Sequence, residues 1–349
     1  MTDLEKLCSR VTEAADCAVI TDDVNRRYFT AMKSSAGTLV VFPEKAYFII
    51  DFRYIEKAKK TVTACEVILQ DKLYEQINSL IEKHGAKTVS VNADTCTLSE
   101  LIAYQQKLNA EVIADTKLAE IIREIRTIKS QEQIDKIIKA QRIAEKGFAH
   151  MLDFIKVGRT EKEIQLELDY YMLKNGAEAL SFDTIALSGS NTSLPHGVPS
   201  NKKVESGEFV LMDFGATYDG WHSDMTRTVC VGKPSDKMKS VYETVLTAQL
   251  TALDAVKAGM SGKALDKIAR DIITEAGYGD NFGHSLGHGV GVEIHESPYA
   301  SPSREDILPE NSIVTVEPGI YLEGKFGVRI EDFVVVTENG CINMTKAPK

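Results

Sequence analysis

The sequence predicts a two-domain protein of α/β (α+β) class, and three observations carry that reading. Its 349 residues exceed what one hydrophobic core usually supports. Roughly the first 115 residues alternate short apolar runs with helical patterns, the mark of a small α/β domain. After about residue 180 the texture changes, and strand-like runs, Gly-rich turns and most of the histidines come together.

In chain order, Thr38 to Phe42 and Ala46 to Asp51 read as strands joined by the turn Pro43-Glu44-Lys45. Leu73 to His84 and Leu98 to Leu108 carry helical spacing, and Thr88 to Asn92 and Glu111 to Ala114 read as two more strands. The domain boundary is expected near Ile122 to Ser130, with domains at 1–124 and 125–349. Ser130 with Gln133 forms a capping-box start for a long amphipathic helix through Ile134, Ile137, Ile138, Ile143 and Phe148. Gly158 ends that pattern, and Thr160 with Glu163 opens the next helix.

Composition narrows the class. With 43% hydrophobic and 26% charged residues, the chain is an ordinary globular protein. A formal net charge of -10 gives no electrostatic reason to bind nucleic acid or an anionic membrane. No apolar run nears the roughly 20 residues that span a bilayer, and no signal-peptide core follows the polar N-terminus. A cytoplasmic protein is the expectation. The six cysteines are scattered without a Cys-x-x-Cys pair, which fits reduced thiols.

Four carboxylates and a group of histidines carry the chemistry. Phe209 to Gly215 is an apolar strand that delivers Asp213, and Asp219-Gly220 reads as a hairpin turn into a return strand from Trp221 to Val231. If Asp219-Gly220 is a two-residue loop, Asp213 lies opposite Thr226, and Asp224 is its diagonal neighbour on one face. Taken alone, Asp213 also reads as a strand-end residue and Asp224 as a solvated one. A carboxylate after a continuous apolar run, however, needs a partner or a metal. Gly283 to Gly291 places His284 and His288 among four glycines. Five of the seven histidines (His196, His222, His284, His288, His295) fall in one hundred-residue stretch, which favours a site. Glu317 ends an apolar strand from Ser312. Val328 to Phe333 reads as a further strand in which Arg329 and Glu331 share a face. Two aspartates and two glutamates bring four negative charges, which two divalent cations neutralise. One imidazole with four carboxylates is an oxygen-rich set that suits manganese first, with cobalt, iron or zinc accepted.

The order Asp213, Asp224, His288, Glu317, Glu331, with the aspartates eleven apart, resembles the pita-bread metallopeptidases. The segments Leu194-Pro195-His196-Gly197, Met212 to Ala216, His222 to Thr228, Gly287 to Gly291, Val316 to Tyr321 and Val328 to Asp332 resemble its proline-specific branch, the Xaa-Pro aminopeptidases and prolidases. Asn25 to Thr30 and Asp51 to Tyr54 resemble the creatinase-type N-terminal domain of that branch, which simple methionine aminopeptidases lack.

The resemblance implies a creatinase-like N-terminal domain before a pita-bread catalytic domain, a homodimer, and peptides with proline second as substrates. It implies that Asp213, Asp224, His288, Glu317 and Glu331 hold two metal ions, with Asp224 and Glu331 bridging. Glu317 would shuttle protons, and His196 and His295 would bind substrate and stabilise the tetrahedral intermediate. His284 would line the substrate pocket, with Tyr321 and Arg329 beside it orienting the carboxylates. His222 has no assigned role. The implied activity is that of an Xaa-Pro aminopeptidase using a metal-bridging hydroxide, the alternative being an Xaa-Pro dipeptidase. A metal-free creatinase-like relative would lack these carboxylates. After His295, many prolidases carry an arginine that grips the free carboxylate of a dipeptide. Tyr299 stands there instead, which tilts the reading toward the aminopeptidase.

Overall fold

In the computed structural model, which describes residues 1–349, the chain forms two units, Met1–Arg126 and Thr127–Lys349. The first contains β1 (Cys17–Ile20), β2 (Thr38–Val41), β3 (Ala46–Ile50), β4 (Glu66–Leu69), β5 (Thr88–Val91) and β6 (Glu111–Ile113). They make one sheet in the order β4-β3-β2-β1-β5-β6, antiparallel along β1-β2-β3 and parallel at both flanks. Its helices are α1 (Asp3–Arg10), α2 (Asp23–Thr30), α3 (Ile55–Thr61), α4 (Leu73–His84), α5 (Leu98–Lys107) and α6 (Lys117–Thr127). Both faces of the sheet are covered. Leu39, Val41, Phe48 and Ile50 pack with residues of α1, α2 and α6, while Val40, Tyr47 and Ile49 pack with Ile77, Leu80 and Ile81 of α4. Burial on both faces explains the nearly continuous apolar runs of β2 and β3. The expected boundary between 124 and 125 falls inside α6.

In the second unit, capping boxes at Ser130–Gln133 and Thr160–Glu163 open α7 (Gln131–Phe154) and α8 (Glu161–Lys174). α7 stops at Phe154; Gly158, with φ +90°, lies in the turn beyond it. The remaining helices are α9 (Asp236–Ala255) and α10 (Gly262–Glu275). Between and after them run β7 (Ala179–Leu180), β8 (Ile185–Ser188), β9 (Glu208–Phe214), β10 (Ala216–Tyr218), β11 (Trp221–His222), β12 (Met225–Val231), β13 (Gly287–Gly289) and β14 (Glu296–Ala300). The last five are β15 (Ile313–Val316), β16 (Gly319–Leu322), β17 (Phe326–Arg329), β18 (Asp332–Thr337) and β19 (Gly340–Asn343).

Strand alternation sorts these residues. Val210, Met212 and Phe214 of β9 pack with Ala144, Phe148, Leu168 and Met172 of α7 and α8. Asp213 therefore projects from the opposite face. Val314 and Val316 of β15 pack with Val241, Val245 and Leu265 of α9 and α10, so Thr315 and Glu317 take the other side.

The hairpin register is the expected one: Tyr218 pairs with Trp221, and Asp213 with Thr226. Asp219 and Gly220 sit at φ +49° and +82°, the left-handed pair of a type I′ turn. The return strand, however, is not one run from Trp221 to Val231. It breaks at Ser223–Asp224, where the Ser223 hydroxyl accepts the Ala216 N–H at 3.0 Å in place of a ladder bond. Gly215 permits this approach, since a Cβ there would lie 1.9 Å from the Ser223 carbonyl oxygen. Gly215→Ala is expected to cost about 3 kcal/mol through overpacking, read as a lower urea midpoint. An unchanged midpoint would show that the two strands separate freely.

The expected strand Val328 to Phe333 is likewise two. Arg329 pairs with β16, whereas Asp332 pairs with β15. In the crossing between them the Ile330 N–H bonds to Pro318 O at 3.5 Å and the Glu331 N–H to Thr226 O at 3.2 Å. Arg329 and Glu331 thus do not share one strand face. All six cysteines are free thiols, and no helix is long and apolar enough to cross a membrane.

Candidate metal centre

The strand breaks deliver the candidate ligands. Asp224 lies at the break before β12, Glu317 just beyond β15, Glu331 in the crossing before β18, and His288 within β13. One ligand atom each of Asp224, His288 and Glu331 fall within 4.8 Å of one another. His288 Nε2 lies 3.6 Å from Asp224 Oδ2 and 3.3 Å from Glu317 Oε1. Asp213 joins them on the wall of a cavity of about 770 Å³, which His196, His284, His295 and Arg329 also line. Asp224, His288, Arg329 and Glu331 are buried.

Four of the five candidate ligands are held by a named neighbour. Thr226 Oγ donates to Glu331 Oε2 at 2.8 Å, and Thr315 Oγ donates to Glu317 Oε1 at 3.1 Å. Arg329 Nη2 donates to Asp213 Oδ2 at 2.5 Å. His288 Nδ1–H donates to its neighbour's carbonyl, Gly289 O, at 3.1 Å, which fixes the tautomer and leaves Nε2 facing the carboxylates. Donor counting extends the chain: Arg329 Nη1 donates to the Tyr321 hydroxyl at 2.7 Å, and Tyr321 donates to His284 Nε2 at 2.9 Å, leaving His284 Nδ1–H for Ser285 O. Tyr321, its phenol pushed up to about 12 by burial, is behind the wall rather than on it. His222 stands apart on β11, with Thr217 Oγ 3.4 Å from its Nδ1.

The electrostatics are those of an anionic cluster. Burial, then the neighbouring Asp213 carboxylate, pushes Asp224 well above the usual carboxylate range. Burial and then Asp224 do the same to Glu331. Burial lowers His284 and His295, and the His295 ring meets that of His288 edge-on at 4.3 Å. Two buried carboxylate oxygens, Asp213 Oδ1 and Glu331 Oε1, have no hydrogen-bond partner in the protein. Anionic oxygens desolvated without a donor are costly, and a cation satisfies them. The donor set therefore fits a hard divalent metal.

Two threonines of this centre escape a reading that looks only for ligands, namely Thr226 and Thr315. Period-two spacing marks both: Thr226 follows Asp224 by two and faces Asp213, and Thr315 precedes Glu317 by two.

Residues 135–338 match metallopeptidase family M24, and residues 4–128 match the Creatinase/Prolidase N-terminal domain. The chain belongs to metallopeptidase family M24, which implies divalent metal ions, and carries the Creatinase/Prolidase N-terminal domain before the catalytic one. It is 39% identical to the Xaa-Pro dipeptidase of Pyrococcus furiosus, over 99% of this chain and 98% of that one. Its fold is similar to that of the Xaa-Pro dipeptidase from Bacillus anthracis (TM-score 0.95, 41% identity, 99% and 98% of the two chains covered). It is also similar to the X-Pro aminopeptidase of Thermotoga maritima (TM-score 0.90, 39% identity, 96% of each chain). The resemblance read from the motifs is borne out at the level of family and fold, and the protein is a hydrolase of the metallopeptidase class.

Proposed function

We propose that the protein is a metallo-exopeptidase that cleaves the bond between an N-terminal residue and a following proline, an Xaa-Pro aminopeptidase. The observation that carries this is the convergence of Asp213, Asp224, Glu317, Glu331 and His288 on one cavity, with two buried carboxylate oxygens lacking any protein donor. These five residues would hold two divalent ions, manganese suiting the oxygen-rich set best. When bound, such a pair supplies an acidified water and positive charge opposite the attacked carbonyl.

The chain's own groups do the rest. Glu317, 3.3 Å from His288 Nε2 and held by Thr315, receives the water's proton and returns it to the proline nitrogen. His196 and His295 on the cavity wall donate to the carbonyl oxygen as charge builds there. The scissile amide is tertiary and has no N–H, so the wall need present no acceptor for one. Phe182, Ile185, Val198 and Pro199 supply an apolar surface for the proline ring.

The aminopeptidase reading leans on Tyr299, which lines the cavity and stands where many prolidases carry an arginine. A second reading, an Xaa-Pro dipeptidase, is favoured by Arg304, whose guanidinium lies 4.2 Å over the Tyr299 ring, and by the names of the relatives. Hydrolysis of an Xaa-Pro dipeptide and an Xaa-Pro-Xaa tripeptide, each with manganese and with a chelator, decides between them. Chelator-sensitive cleavage mainly of the tripeptide is expected. Cleavage mainly of the dipeptide would move the assignment to the second reading, with Arg304 as the grip. Cleavage of neither by metal-loaded protein would sink both.

A further inference from the structure

His196 is a proposed catalytic group on an irregular loop, and it is exposed. Between the short 3₁₀ turn Gly189–Ser193 and Ser200 the chain makes no strand pairing. Its internal backbone bonds are Leu194 N–H to Asn191 O at 3.0 Å and Gly197 N–H to Leu194 O at 3.1 Å. Something outside the loop has to set where His196 stands.

Arg329 contributes one bond, its Nη1 donating to Pro195 O at 3.4 Å; the larger anchor is Glu161, the first residue of α8, whose side chain is wholly buried at 0% exposure. One oxygen, Oε1, accepts the Ser188 N–H at 2.7 Å, the Ser188 hydroxyl at 3.1 Å and the Asn191 amide at 3.0 Å. The other, Oε2, accepts the Ser200 N–H at 3.0 Å, the Ser200 hydroxyl at 2.6 Å and the Asn191 amide at 3.2 Å. One carboxylate therefore binds both ends of the segment that carries His196. Its direct partners are neutral N–H and O–H donors, which satisfy a buried carboxylate, and the Lys202 ammonium stands one hydroxyl away, donating to Ser188 Oγ at 3.2 Å. The flanking backbone adds two bonds, Glu161 N–H to Lys202 O and Lys162 N–H to Ser200 O, each at 3.0 Å.

We infer that Glu161 is a positioning residue: it closes the base of the Leu194–Pro199 loop and so holds His196 at the cavity wall. This rests on the proposed role of His196 in peptide hydrolysis, and the anchoring itself stands apart from it. The carboxylate fixes the closure entropy of the loop in advance, leaving the imidazole in place before substrate arrives.

The near-isosteric Glu161→Gln tests it, because one amide NH₂ must then face donors. Hydrogen exchange of the intact protein is the first measurement. Amides of residues 188–200 are expected to exchange faster in the variant while α9, α10 and β15 keep their protection. The second is a cycle with His196→Ala on a cleavable Xaa-Pro peptide, with metal content checked in every variant. Glu161→Gln is expected to lower kcat/KM by on the order of tenfold. In the His196→Ala background it should lower it no further, because the group it positions is gone. A merely structural role would instead give a loss that multiplies in full with His196→Ala. That result, or unchanged exchange across 188–200, overturns the assignment. If the parent protein cleaves no Xaa-Pro peptide, the functional proposal fails, and the exchange measurement still decides the anchor.

Discussion

Asp224→Asn is expected to strip the protein of bound metal and to lower turnover at least about a thousandfold, some 4 kcal/mol of transition-state stabilisation. The substitution keeps the shape of a buried side chain and removes its charge. Asp224 Oδ2 faces His288 Nε2 at 3.6 Å, and the Asp213 carboxylate bears on it from the neighbouring strand. Of the five proposed ligands it stands where the charges of both aspartates and both glutamates meet, so its loss removes the attraction for a second cation as well as a donor. Asp332→Asn is the control. Asp332 is equally buried but spends its charge on Arg227 at 2.8 Å and Lys349 at 2.7 Å. It should lower thermal stability and leave metal content unchanged. Elemental analysis beside a peptide assay reads both. An Asp224→Asn protein with full metal and near-parent turnover would mean the centre lies elsewhere in the cavity.

Much of this centre was legible because metal chemistry constrains residue type as well as position. Asp213 follows a continuous apolar run buried on both faces, and a turn of known length fixes its partner across the hairpin, so Thr226 could be placed from the sequence. The breaks at Ser223–Asp224 and Ile330–Glu331 could not. Each arises where the chain leaves one sheet for another, a choice made by distant partners such as Pro318 and Thr226 rather than by local pattern. In the N-terminal unit, helix α4 and strands β2 and β3 carry strong periodicity. β1 is only Cys-Ala-Val-Ile, too short to separate from a buried helical turn, and β4 is half exposed, so neither stood out. Glu161 was legible as a capping-box neighbour and illegible as an anchor. Its partners lie 27, 30 and 39 residues away and meet it only in the folded chain.

Removing metal is expected to lower the melting temperature of the protein, and by more at pH 9 than at pH 5. A ligand at a hundred times its dissociation constant adds about 2.7 kcal/mol, or about 5–10 °C for a unit of this size. The pH dependence follows from the protein's own groups. Asp224 is pushed well above the usual carboxylate range by burial and by Asp213, and Glu331 by burial and by Asp224. Burial alone would depress His288, but Glu317 and Asp224 outweigh it and raise it from 6.5 to about 9. A group whose pKa is raised on folding stabilises the chain below its ordinary value, and that stability is lost as pH climbs through the raised one. Asp224 and Glu331 therefore weaken the chelated protein from about pH 4.5 upward, and His288 adds to this between 6.5 and about 9. Glu317 works the other way: burial would raise it, but His288 dominates and lowers it from 4.5 to about 2. Its contribution is complete above 4.5 and is flat across that window. Divalent cations displace the same protons, so their binding strengthens over the range in which the chelated protein weakens. Differential scanning calorimetry with manganese and with chelator, at pH 5, 7 and 9, should show a gap that widens with pH. A constant gap would mean that bound metal titrates none of Asp224, Glu331 and His288, and these residues would then not be its ligands.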